Sequence, residues 1–316
     1  MSTVGVVVLT HNRMADLAVT LAAMCALAER PRLVVVDNAS RDGTSELVRT
    51  RFPDVELVRL ERNAGAAGRN AGVARLDTTY VAFCDDDAWW APGSLASAAA
   101  MLDAHPALGL VCGRVLVGKE ARIDAASAAM AASPLPPTPG LPGRPILGFL
   151  CAASMLRREV FVGVGGFEPR FFLGGEEELL ALDLAAAGWA LAYVPDVVVH
   201  HHPSPRRDST GRRSLLLRNA LWVAWLRLRM PAALRRSLAV LDRTHSRREQ
   251  LGAVVAALVA APWILRRRRV VPVYIEEALR GLDGSGYAER RRRRRGVVDS
   301  GVTSGLASGS SNRLAR

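Results

Sequence analysis

Four short runs of β-branched and apolar residues, each running into a polar cluster, constrain this 316-residue chain more than any other feature. VGVVVLT (4–10) leads into His11-Asn12-Arg13, and RLVVVDNAS (32–40) carries Asp and Asn where its apolar run stops. VELVRL (55–60) precedes RNAGAAGRNAG, and TTYVAFCDDD (78–87) ends on three aspartates. Helical spacing fills the gaps, from about Asp16 to Ala28, over SELVRTRF, and through a small-residue stretch to about Arg75. Strands with no polar alternation are covered on both faces, and alternation with helices predicts a doubly wound, mainly parallel α/β sheet. Ligands of such sheets bind beyond the carboxyl ends of the strands. Thr10, His11, Asn12 and Arg13 lie there after the first strand, Asp37 and Asn38 after the second, and Asp85 to Asp87 after the fourth.

Three consecutive carboxylates repel one another unless something offsets the charge. At a strand end, residues i and i+2 share a direction, so Asp85 and Asp87 are expected to meet one cation while Asp86 faces elsewhere, at most touching a nucleotide. Oxygen donors suit Mg²⁺ or Mn²⁺, with a diphosphate supplying further ligands. The competing reading is an acidic turn capping the helix that begins near Pro92. Asp37 stands where dinucleotide-binding folds grip a ribose, but LTHNRM has no Gly-x-Gly-x-x-Gly, which argues against a dehydrogenase or a methyltransferase. The glycines fall at 65, 68 and 72 instead, as packing and turn residues or as a frame for Arg69 to reach a phosphate. In GGEEELL, the helix dipole alone accounts for Glu176, Glu177 and Glu178; the functional alternative is that one of them is a general base.

These motifs in this order resemble the family 2 glycosyltransferases over roughly residues 3–205. The resemblance implies a GT-A fold and sugar transfer with inversion from a UDP- or dTDP-sugar to a hydroxyl of a glycan or lipid-linked acceptor. VVVDNASRDGT is similar to the base-contacting segment, with Asp37 at the base, and RNAGAAGRNAG to relatives that transfer rhamnose or galactofuranose. Asp85 and Asp87 match the DxD metal motif for Mn²⁺ or Mg²⁺. FFLGGEEELL resembles FF-x-x-GED-x-D, which implies Glu177 as the base, with Glu in place of Asp, and places Leu179 where a second Asp is common. The terminal histidine of the metal site falls on His201 within an HHH run that leaves His200 and His202 open. A sugar nucleotidyltransferase is the alternative enzyme, although LTHNRM lacks its glycine-rich loop with a lysine. An inert, basic membrane- or nucleic-acid-binding protein is the other alternative.

The charge narrows the partners. Of the net +12, ten positive charges sit in RRRR (266–269) and six arginines (290–295), so the sheet domain offers little to nucleic acid. Four scattered cysteines, no CxxC pair and an opening without a basic leader predict a cytoplasmic protein. Three regions are expected: residues 1–205 as the transferase domain, 206–283 as a basic helical region, and 284–316 as a disordered tail. The stretch 251–265 is too short to span a bilayer and is interrupted by Pro262. It is expected either to be buried or to lie in the interface of an anionic membrane, making the enzyme peripheral on the inner face of the cell membrane.

Overall fold

The structure is a computed structural model that describes residues 3–204, 211–242 and 246–283; the segment 284–316, read above as a disordered tail, lies outside them. β1 (Val4–Thr10), β2 (Arg32–Asp37), β3 (Glu56–Arg59) and β4 (Tyr80–Asp85) form a parallel block ordered β3-β2-β1-β4. They are joined by α1 (Met14–Cys25), α2 (Thr44–Arg51) and α3 (Gly68–Val73). Successive side chains of β1 go to opposite faces. Val6 and Val8 share a core with Leu17, Leu21 and Met24 of α1, while Val7 joins Val73 and Leu76 on the other side. Both faces are covered, which is why the runs read as continuous apolar sequence. Gly72 lets α3 lie close to the sheet, because a Cβ there would sit 2.5 Å from Val7 and 2.8 Å from Val36.

The rest of the sheet adds antiparallel strands to this mainly parallel arrangement. β5 (Ala88–Trp90), α4 (Ser94–Ala104), β6 (Leu108–Val117), β7 (Arg122–Ile123), α5 (Ala125–Ala131), β8 (Arg144–Pro145), β9 (Ser154–Arg157), α6 (Arg158–Gly163), α7 (Glu176–Ala186) and β10 (Ala190–His201) follow. The full order is β3-β2-β1-β4-β9-β6-β10-β5, with β7 on β6 and β8 on β10. β6 and β10 are parallel, but β9 runs against both β4 and β6, and β5 runs against β10. An apolar run encodes burial and not direction; direction depends on which connection delivers the strand. The proline-rich segment 133–145 covers one side near the start of β10, where it helps to line an apolar cavity of about 440 Å³ at the far end of that strand from His201.

Helices α8 (Arg212–Arg227), α9 (Met230–Asp242), α10 (Arg247–Val259) and α11 (Ala261–Arg267) follow, with a last helix over 273–283. Leu179 and Leu182 of α7 share a core with Trp222, Val223 and Leu226 of α8 and with Ile264, Ile275 and Leu279. This explains the leucine at 179: a carboxylate there would be buried against α8 without a partner. Arg227 adds a bidentate pair to Asp183 of α7, at 2.5 and 2.8 Å. Among the described residues no single helix is long and apolar enough to cross a membrane. The stretch 251–265 is neither wholly buried nor one helix: α10 and α11 bend by 58° at their junction and bury one face only.

Candidate active site

The three aspartates at the end of β4 part company. Asp85, the last residue of the strand, accepts from Arg69 Nη2 at 2.5 Å, and its side chain is 41% exposed. Asp86 is buried: its carboxylate accepts from Thr10 Oγ1 at 2.9 Å and its carbonyl from Thr20 at 2.8 Å. Burial pushes the Asp86 carboxyl up to about 7, against the opposing pull of Arg13 at 3.8 Å. Asp87 is buried as well, with Oδ2 3.3 Å from Arg13 Nη1 and accepting from Ser204 N–H at 3.2 Å, and Oδ1 3.3 Å from His201 Nε2. Asp86 thus faces Thr10 and shares Arg13 with Asp87. Asp85 and Asp87, expected to meet one cation, take different protein partners, because the strand ends at Asp85 and the chain turns through Asp86 and Asp87, so the two-residue period lapses.

The same period sorts the histidines. His201 turns to Asp87, whereas His200 stacks on Trp89 at 5.8 Å and His202 tilts against the same ring at 4.7 Å. Among the described residues no three His, Cys, Asp or Glu side chains are grouped to hold a metal ion. What Asp87 and His201 provide is a carboxylate oxygen and an imidazole nitrogen side by side. That donor pair fits Mn²⁺ or Mg²⁺ when a diphosphate and water supply the remaining positions.

The carboxylates at the start of α7 also diverge. Glu178 pairs with Arg236 and ties α7 to α9. Glu177 accepts from the Cys151 backbone N–H at 3.1 Å. Burial and then the negative charge of Glu176 push the Glu177 carboxyl up to about 7, with Cys151 N–H and Arg69 pulling it back. Glu176 is 5% exposed and its Oε2 is buried without a hydrogen-bond partner; the same holds for Nε of Arg69, which is 7% exposed. Native interiors hold few such orphans, and these two lie in one electrostatic cluster with Asp85 and Glu177.

The loop before α7 is strained. Phe172 sits at φ 63°, ψ −61°, a γ-turn closed by Leu173 N–H donating to Phe171 O at 2.8 Å. Its carbonyl accepts from Ala66 N–H at 2.7 Å, and Gly65 is at φ +60° where any Cβ would collide with Phe172. Fully buried Asn219 of α8 holds this loop, donating to Phe171 O at 2.9 Å and to Leu173 O at 3.1 Å. Such a conformation costs about 1–3 kcal/mol and persists only where its surroundings enforce it. Sequence reasoning overlooked Asn219, although an asparagine inside NALWVAWL was the signal.

Thr10, Asp37 and Asn38, expected to touch a nucleotide, are instead buried and partnered. Asp37 is fully buried; one oxygen accepts from Ser40 N–H at 2.8 Å, and the other from Ser45 with Arg59 4.0 Å away. Asn38 donates to Gly65 O and accepts from Ala64 N–H, both at 2.9 Å. They shape a neighbouring cleft of about 600 Å³, whose walls include His11, Asn12, Arg41, Arg59, Arg62 and Asn63. Asn12 (φ 53°) accepts from Arg41 N–H at 2.7 Å, and the Nδ2 of Asn12 reaches His11 Nε2 at 3.1 Å. Of the residues expected at the strand ends, His11 and Asn12 line this cleft, while Arg13 lies with the aspartates. Arg41 follows β2, and Arg59, Arg62 and Asn63 end or follow β3, so applying the strand-end rule to the third strand would have found the last three.

The model of the family described as "Glycosyl transferase family 2" matches residues 5–164, about half of the chain. An N-acetylglucosaminyl-diphospho-decaprenol L-rhamnosyltransferase of Mycobacterium tuberculosis is 30% identical over 245 residues, covering 66% of this chain and 77% of that protein. Among solved structures, a mannosyltransferase from Pyrobaculum calidifontis in complex with GDP-Man and Mn²⁺ superposes with a TM-score of 0.54 at 22% identity, covering 89% of this chain and 86% of the other. S. aureus TarS 1–349 in complex with UDP-GlcNAc gives 0.59 at 17% identity, covering 80% and 79%. These two likenesses establish a shared fold, the GT-A type, and the chain is a glycosyltransferase belonging to glycosyl transferase family 2.

Proposed function

We propose that the enzyme transfers a sugar, with inversion, from a UDP- or dTDP-sugar to a hydroxyl of a glycan acceptor. The observation that carries this reading is the cluster of buried Glu176 and Arg69 with half-buried Glu177 and more exposed Asp85, where one carboxyl is tuned to about 7 and two buried polar atoms have no partner. In this reading the nucleoside lies in the cleft of His11, Asn12, Arg41, Arg59 and Arg62, framed by Thr10, Asp37 and Asn38. Asp87 and His201, assisted by Asp85, would hold Mn²⁺ or Mg²⁺. A divalent cation at that point offsets the negative charge that grows on the departing diphosphate. Glu177, steadied by the Cys151 N–H, takes the proton of the acceptor hydroxyl. That oxygen forms its bond to the anomeric carbon from the face opposite the diphosphate, and the bond from carbon to phosphate oxygen breaks. Arg69 offsets the carboxylates around it. The Mycobacterium relative is named for a diphospho-decaprenol acceptor, and by that likeness the acceptor here is a lipid-linked glycan of the cell envelope.

Thermal unfolding with UDP, dTDP and GDP, each with and without Mn²⁺, tests the donor side. UDP or dTDP with Mn²⁺ should stabilise the protein by about 2.7 kcal/mol at a hundredfold excess over Kd. Failure of all three to raise Tm would reject the reading.

A further inference from the structure

The three helices α9 to α11 present an apolar surface that no other described residue covers. On α9, Met230, Leu234 and Leu238 recur every four residues and are 65%, 54% and 61% exposed, while Ala233 and Ser237 face inward. On α10, Leu251, Val255, Leu258 and Val259 stand out on one side, while Ala253 and Ala260 at its end are buried. Leu265 of α11 is 72% exposed although Ile264 beside it is buried. Apolar spacing of three and four residues on the solvent side of a packed helix is the reverse of what a soluble surface needs. Both α9 and α10 pack on α8, with Val240 and Leu241 meeting Ala253 and Ala257 around Leu217 and Leu221, so the two stripes belong to one part of the molecule.

Charge identifies the partner. Residues 246–270 contain six arginines and one glutamate. Arg247 and Arg248 stand exposed at the start of α10, and Arg266, Arg267 and Arg269 at the far end of the α10–α11 pair. The exposed leucines and valines lie between these two basic ends. Two copies of the chain meeting on this face would crowd their arginines together, which disfavours self-association. An anionic bilayer meets both requirements, with phosphates at the basic ends and acyl chains between them. Neither the thirteen-residue nor the seven-residue helix is long enough alone to cross about 30 Å of hydrocarbon, and their 58° bend, with arginines at both ends, suits a pair lying in its boundary. We propose that α9, α10 and α11 form a docking face for an anionic membrane surface, with Leu251, Leu258, Val259 and Leu265 entering the acyl boundary and Leu234 and Leu238 beside them.

The test uses the full chain and reads vesicle binding alone, so it is independent of donor and acceptor identity. Flotation with phosphatidylcholine vesicles containing about 30% phosphatidylglycerol is compared with phosphatidylcholine alone, at about 0.05 and 0.5 M salt. The protein should float only with the anionic vesicles and be released by high salt. L251E/L258E should weaken binding at least about tenfold with Tm unchanged, because both side chains are already exposed. R266Q/R267Q/R269Q, with arginines 290–295 intact, should weaken it roughly a hundredfold, at about fivefold per arginine. L234Q/L238Q on α9 provides a second test should the glutamates disturb folding, and it too should reduce flotation. Absence of binding to anionic vesicles, or binding indifferent to all three variants, overturns the proposal. A dimer that L251E/L258E dissolves, with no flotation, would make a second copy the occupant and also overturn it.

Discussion

The cleft after β2 and β3 and the carboxylate cluster at the start of α7 treat their polar groups in opposite ways. Around the cleft, Asp37 and Asn38 accept hydrogen bonds from Ser40, Ser45 and Ala64, and Thr10 donates to Asp86, so that they hold loops in place. At the cluster, Glu176 Oε2 and Arg69 Nε are buried without partners, and Glu177 is displaced from its ordinary ionisation. One half is complete before any ligand arrives, and the other is left unfinished around the place where bonds would change. Substitutions in the first should therefore act on stability, and substitutions in the second on rate.

The largest effect should come from Glu177→Gln, which keeps shape and removes the base. Turnover should fall about 10²–10⁴-fold while Tm holds or rises, as kinetics and calorimetry on the same preparation would show; unchanged turnover would assign the base elsewhere. Asp37→Ala reverses the pattern. Loss of a buried carboxylate with three partners should cost about 3 kcal/mol, a Tm fall of roughly 6–12 °C. If Tm held and only nucleotide affinity fell, Asp37 would be a direct ligand and the comparison would fail.

Arg62→Ala, on an exposed wall of the cleft, should raise the donor KM about tenfold with turnover unchanged. The smallest effect belongs to Asp86→Asn. The folded state holds the Asp86 proton up to about 7, far above an unfolded aspartate, so its contribution to stability is full below about pH 4 and is lost as pH rises through 7. Asparagine has no charge to bury, so the variant should match the wild type near pH 4 and exceed it by about 1 kcal/mol or more at pH 8, read as a gap in Tm.

Much of this was legible in the sequence. The runs at 4–10, 32–37 and 80–85 could only be strands covered on both faces, and the residues at their ends had to gather at one edge. The identity of each contact was not legible. Whether Asp37 meets a ligand or the Ser40 N–H depends on a loop only a few residues long, and strand spacing does not fix its path. β6 and β9 went unread as partners of β4 and β10, because pairing between segments distant in sequence leaves no local periodicity. Leu179 looked like a departure at the acceptor site until α8 was seen packed against it.

The central claim is that Glu177 is a base held near neutrality by burial beside Glu176. The most direct measurement is the pH dependence of kcat/KM with the donor selected by thermal unfolding. The account predicts a rise through an apparent pKa near 7 with the slope of a single proton, absent in Glu177→Gln. A flat profile from about pH 5.5 to 8.5, or an acid limb that survives in the variant, would contradict it.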